Sequence, residues 1–279
     1  MIAAAANPLS EEFTVPAIAV DDHREEMSPV TRAMRKWNVK PRLFTTATEW
    51  GRVARSSDEN TILMSDNLLP GVNDLGSLGF DDIHTSQGEE AGLRLLTAYC
   101  DRLNIKAGLK ILLTQYPLRD EAKHYIAGRR RTKKDEIHVF HKNNANDSDQ
   151  LNKLVRGFSR TRKAMFIKSK IEYVRDLGRD WRLTESEIAA LFSMQDEDDA
   201  VWRASTGGTT SIDFERRCDL IYRIKINLAA VYGGENLFQE ERWLRTKIAI
   251  LGGKSPLEFI SSQGVERLYA LISIMEGNH

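Results

Sequence analysis

Thr61-Ile-Leu-Met-Ser65-Asp66-Asn-Leu-Leu-Pro70-Gly71 decides the fold of this chain. A short apolar run that stops on a carboxylate and a Pro-Gly turn reads as a buried strand with a functional end. The same grammar recurs on either side. Ala17-Ile-Ala-Val20 runs into Asp21-Asp22, Leu109-Lys-Ile-Leu-Leu113 into Thr114, and Ile137-His-Val-Phe-His141 into Lys142. Strands of a parallel α/β sheet end on one edge, and that edge is where ligands bind. Three carboxylates, a hydroxyl and an ammonium gathered there would hold a divalent cation and a transferable phosphoryl group. Taken singly, each residue has a plainer reading. Asp21 or Asp22 caps a helix, Asp66 opens a turn, Thr114 ends a strand, and Lys142 is a solvated lysine.

Around these ends the first ~155 residues alternate strand and helix patterns, as an α/β domain does. Strands are expected at 15–20, 42–45, 61–65, 110–113 and 137–141. Helices are expected at 25–37, 48–56, 120–127 and from about 147. The polar, Gly-rich stretch 71–90 reads as a loop, long enough to be functional or disordered. Beyond Phe158 the strand signal disappears. A basic amphipathic helix at 162–177, with Ile167, Ile171 and Val174 on one face, leads to Thr184-Glu-Ser-Glu187, a capping box for a helix at 185–192. Further helices are expected at 200–204, 214–231, 237–246, 256–260 and 264–275. Gly-Gly pairs at 207, 233 and 252 mark turns. The expected architecture is 1–157 as a doubly wound (βα)5 parallel sheet, 158–182 as a basic linker helix, and 183–279 as an all-α unit.

Composition narrows the class. A hydrophobic fraction of 41% with 29% charged residues describes a soluble globular chain rather than a disordered or membrane one. Forty basic and forty acidic residues cancel, so net charge names no nucleic-acid partner. The charge is segregated, however. Residues 153–182 carry ten Lys/Arg against three acids, and 183–200 carry six acids and no base. Such blocks are solvated faces or steer partners. Two cysteines without metal spacing, a start too short for a signal peptide and no apolar span of membrane length point to the cytoplasm. No Ser–His pair, Walker loop or His-rich metal motif marks an ordinary metabolic enzyme.

The five strand-end residues, in this order, resemble the receiver domain of two-component response regulators over residues 13–157. The resemblance implies that Asp66 is the phosphoacceptor, within the family's Asp-x-x-x-Pro-Gly turn. It implies that Asp21 and Asp22, with Asp66, bind Mg²⁺, that the Thr114 hydroxyl turns toward the phosphoryl group, and that Lys142 pairs with it. A histidine kinase or other phosphodonor would supply the phosphoryl group. The chain departs from the family at Asn143, where Pro is usual after the lysine, and at Val139, where the family has its aromatic switch beside Phe140. It also departs at Gln115, which replaces a small residue and can hinder access. The charge chemistry is intact; the usual Thr–aromatic relay is in doubt.

Trp243-Leu-Arg-Thr…Leu251-Gly-Gly-Lys-Ser-Pro-Leu-Glu258-Phe…Gly264-Val-Glu-Arg-Leu…Leu271 is the second informative stretch. Gly252 and Gly253 allow positive φ, Ser255 can cap, and Pro256 suits a first helical position. The phrase resembles the C-terminal signature of the Xre/MbcA/ParS-like toxin-binding antitoxin family, over about residues 183–279. That resemblance implies a degenerate helix-turn-helix at 184–204, a protein partner such as a RES-type toxin, and homo-oligomers. The segment that would enter the major groove reads Asp196-Glu-Asp-Asp199, and carboxylates there oppose phosphate. DNA is therefore possible but disfavoured; the basic segments 160–182 and 129–134 are the better candidates. Three functions remain: a phosphorylation-responsive regulator of a protein-interaction domain, a DNA-binding response regulator, and a non-signalling scaffold or antitoxin.

Overall fold

One five-stranded sheet forms around central apolar strands buried on both faces. Its strands are β1 (Val15–Val20), β2 (Val39–Phe44), β3 (Ile62–Asp66), β6 (Leu109–Thr114) and β7 (Ile137–His141). The computed structural model describes residues 13–70, 72, 74–129, 136–192, 212–233, 236–261 and 265–277. All pairings are parallel and the spatial order is β2-β1-β3-β6-β7. Every residue of β3 and β6 is buried, as central parallel strands covered by helices require. This is a doubly wound α/β sheet, and its order reverses between β1 and β3.

Helices α1 (Arg24–Arg35), α2 (Ala47–Ala54), α5 (Asp120–Arg129) and the first half of α6 (Ala145–Asp180) supply the flanking layers. Met27 and Met34 of α1 and Leu151 and Val155 of α6 pack one sheet face. Trp50, Leu93, Leu96 and Tyr99 pack the other. Between β3 and β6 the chain forms α3 (Ala91–Arg94), a π-helical turn (Leu95–Tyr99) and α4 (Cys100–Arg102). The sequence reading placed no helix here. Ala-Gly-Leu-Arg-Leu-Leu-Thr-Ala-Tyr-Cys is buried on nearly all sides and shows no amphipathic stripe, yet parallel strands need a crossover. The expected loop 71–90 also differs. Its described part holds an antiparallel pair, β4 (Asp74–Leu75) with β5 (Phe80–His84), tied down by buried Leu75, Leu78 and Ile83.

The chain divides into two compact units, Phe13–Arg162 and a second from Lys163 onward. Helix α6 runs unbroken from Ala145 to Asp180, so the expected linker helix is the second half of a longer one. The second unit contains the remainder of α6, α7 (Glu185–Phe192), α8 (Ile212–Tyr232), α9 (Leu237–Arg245), α10 (Pro256–Ser261) and α11 (Val265–Met275). Ile167, Ile171 and Val174 all enter its core. Lys170, read from sequence as part of a solvated basic run, is buried there instead. Its ammonium lies 2.8 Å from Asp219 and 4.7 Å from the Phe166 ring centre. The fully buried Glu240 is held by Trp181 Nε1 and Lys225 Nζ, each at 2.7 Å. Buried Arg217 donates to the carbonyls of Leu191 and Ile260, in the last turns of α7 and α10, where cations are favoured.

Two capping boxes close the local reading. Thr184 and Glu187 exchange side-chain and backbone bonds at the start of α7, and Ser255 and Glu258 do so at the start of α10. Gly252 and Gly253 both have left-handed φ, 70° and 80°, in the turn before it. Ser255→Ala is expected to cost about 1 kcal/mol of unfolding free energy in urea, the value of one cap. The expected helix 200–204, the acidic segment 196–199, Trp202, the Gly-Gly pair at 207–208 and the basic run 130–134 lie outside the described residues.

Candidate phosphoacceptor and metal site

Reversal of strand order between β1 and β3 sends their following connections to opposite faces and opens a crevice beyond their C-terminal ends. Asp21 directly follows β1 and Asp66 ends β3, so both carboxylates stand at that crevice. Thr114 closes β6. Lys142, directly after β7, is tied to it by a backbone bond from its N–H to the Thr114 carbonyl, 2.9 Å. One carboxylate oxygen from each of Asp21, Asp22 and Asp66 falls within 4.8 Å of the others. Lys142 Nζ lies 2.7 Å from Asp21 Oδ2 and 3.3 Å from Asp66 Oδ2. Four of the five residues singled out by sequence thus share one cluster; Thr114 borders it.

Glu26, in the first turn of α1, is the member that sequence reasoning missed. Its carboxylate receives Lys142 Nζ at 2.9 Å and Gln115 Nε2 at 2.5 Å. The signal available was an acid five positions after Asp21, which is common in a first helical turn and not distinctive. Thr114 is not turned toward the carboxylates. Its hydroxyl donates to the Tyr116 carbonyl at 2.6 Å and accepts from the Tyr116 N–H at 3.2 Å. Phe140, beside the family's aromatic position, is packed into the core on one sheet face, and Val139 packs on the other.

The electrostatics are lopsided. Asp21, Glu26 and Asp66 all pair with Lys142, their one Lys or Arg partner among the described residues, and Asp22 adds a fourth carboxylate to the cluster. Burial pushes the Asp66 carboxyl up to about 6; Lys142 opposes that rise and Asp21 adds to it. The Asn67 N–H donates to Asp66 Oδ1 at 2.9 Å and holds the carboxylate in place. Burial works against a charged Lys142, but hydrogen bonds to Asp21 and Glu26 outweigh it, and its pKa is raised. The hydrogen bond from Lys142 lowers Glu26.

This donor set fits a hard divalent cation. Mg²⁺ takes oxygen ligands, is usually bound through one or two carboxylates, and keeps several waters. Asp21 and Asp66 are buried and Asp22 is partly exposed, which leaves room for waters on the Asp22 side. Such a cation would favour the charged form of Asp66 against the burial that raises it, and would offset the smaller push from Asp21.

Gly92, in α3, sets how closely that helix approaches the end of β3. A Cβ there would lie 1.8 Å from the Asp66 carbonyl oxygen. Gly92→Ala is therefore expected to displace the end of β3 and destabilise the fold by about 2–3 kcal/mol, measured by urea unfolding.

No protein-family model, curated protein or solved structure matches the chain. Among the described residues no helix is long and apolar enough to cross a membrane.

Proposed function

We propose that the chain is a phosphorylation-responsive regulatory protein of receiver type, in which Asp66 accepts a phosphoryl group and thereby controls the helical half. One observation carries this reading. Asp21, Asp22, Asp66 and Lys142 converge at the switch point of a five-stranded parallel sheet, with the acceptor carboxylate held beside an ammonium. Asp21, Asp22 and Asp66 would hold Mg²⁺, which when bound supplies positive charge to the phosphoryl oxygens. An Asp66 carboxylate oxygen attacks the phosphorus of the donor, a P–O or P–N bond to the leaving group breaks, and an acyl phosphate forms. Lys142 then exchanges part of its bonding to Asp21 and Glu26 for a phosphoryl oxygen. That exchange changes what Glu26 and Gln115 bind, and so carries the signal to α1 and the β6–α5 connection. It needs no aromatic rotamer switch.

The helical half is the output in this reading, a protein-interaction unit of antitoxin type that works in a homo-oligomer. Exposed Ile226, Val231, Phe238, Ile250 and Tyr269 on its surface support a protein partner, of which a RES-type toxin is one candidate. The chain is no enzyme beyond transfer onto Asp66 and hydrolysis there. The test is incubation with Mg²⁺ and acetyl phosphate or beryllofluoride. Gain of one phosphoryl mass, or a conformational change lost in Asp66→Asn, supports the proposal. Absence of both rules it out.

A second reading, a non-signalling scaffold, is favoured by the turn of Thr114 toward Tyr116 and by Gln115 bridging to Glu26. It expects partner binding that Asp66→Asn leaves unchanged.

A further inference from the structure

Lys110 is the second residue of β6, in the middle of the sheet, and only 5% of it is exposed. Its neighbours in register are Leu63 of β3 and Ile137 of β7, so neither adjacent strand offers a counter-charge. Among the described residues its ammonium makes no hydrogen bond and no ion pair. The stem is buried, but Nζ is not among the buried atoms that lack a partner, so the ammonium opens into solvent, where water or a ligand can meet it. Lys110 lines a cleft of about 430 Å³ at the N-terminal ends of β3 and β6. That is the edge opposite the carboxylate cluster, about 13 Å from Thr114 along the strand.

The other lining groups decide what the cleft suits. Lys106 and Arg162 add positive charge; Glu59 and Asp101 are the acids. Asp101 is already matched by Arg129, whose guanidinium reaches both of its oxygens at 2.5 and 2.7 Å. Burial pushes the Cys100 thiol up to about 12, so no thiolate competes there. Ile105 and Ala107 give an apolar wall. We propose that this cleft binds a small anion, a carboxylate or a phosphate, whose charged group pairs with Lys110 and whose remainder lies against Ile105 and Ala107. The volume is within the range of small-molecule sites.

The test is calorimetric titration of the full chain, in EDTA, with inorganic phosphate and separately with succinate. Saturable binding of either is expected, and the ligand that binds names the source of the anionic group. Lys110→Met keeps the length and removes the charge. It should fold with an unchanged circular dichroism spectrum and bind about 10- to 100-fold more weakly, the value of one charge-assisted hydrogen bond. Lys106→Ala, at an exposed position, should weaken binding by a smaller factor. Asp66→Asn should bind as the parent does. The proposal is overturned if neither anion binds saturably, if Lys110→Met binds with the parent's affinity, or if Asp66→Asn alone abolishes binding.

Discussion

Lys142→Met is expected to lose about 3–5 kcal/mol of folding stability at neutral pH in EDTA, the cost of removing one partner from buried ion pairs. Lys142 Nζ is shared between Asp21, Glu26 and Asp66 at 2.7, 2.9 and 3.3 Å. Methionine fills similar space, so the loss is electrostatic rather than steric. Asp21 is completely buried and cannot turn to solvent for relief. Adding Mg²⁺ at a hundredfold excess over its dissociation constant should return about 2.7 kcal/mol to either protein. Urea denaturation with and without Mg²⁺ measures both quantities. A loss under about 1 kcal/mol would show that the ammonium is not what holds these carboxylates together.

Asp66→Asn should move stability the other way. In the metal-free protein the Asp66 carboxyl is raised from 3.8 to about 6. Between those values the native state keeps a proton that the unfolded chain has lost, so stability falls as pH rises through the window. Above about pH 6 the whole penalty stands, and at ~1.4 kcal/mol per tenfold change in proton affinity it comes to about 3 kcal/mol. Asparagine resembles the protonated carboxyl, can accept the Asn67 N–H, and carries no charge. The variant should gain about 3 kcal/mol near pH 7.5, lose the pH slope between pH 4 and 6, and fail to respond to beryllofluoride. A variant less stable than the parent at pH 7.5 would mean that the Lys142–Asp66 attraction exceeds the cost of burying the charge.

Much of the sheet was legible because its signal is local. A buried parallel strand is a continuous apolar run, and 137–141 and 15–20 were read with the observed ends. The capping box at Thr184 and the cap at Ser255 were legible for the same reason, since the bonded residues lie three apart; that Glu258 bonds back to Ser255 was not read. The crossover helix 91–102 was not read, because a helix buried nearly all round loses the periodicity that betrays one. The β4–β5 pair was hidden in polar residues whose few apolar anchors are not adjacent in sequence. Lys170 looked like a surface charge and Glu240 carried no signal at all, and only the packing of α6, α8 and α9 shows where they go.

The sequence by itself determined which strand ends carry carboxylates, a hydroxyl and an ammonium, because each end is written in a run of five or six neighbouring residues. Only tertiary structure decided which of those groups meet. Strand order brought Asp21 beside Asp66, helix α1 brought Glu26 onto Lys142, and the β6–α5 connection turned Thr114 toward Tyr116. Burial, which raises Asp66 and isolates Lys110, likewise belongs to the fold, because desolvation depends on neighbours more than a hundred positions apart as well as those close by.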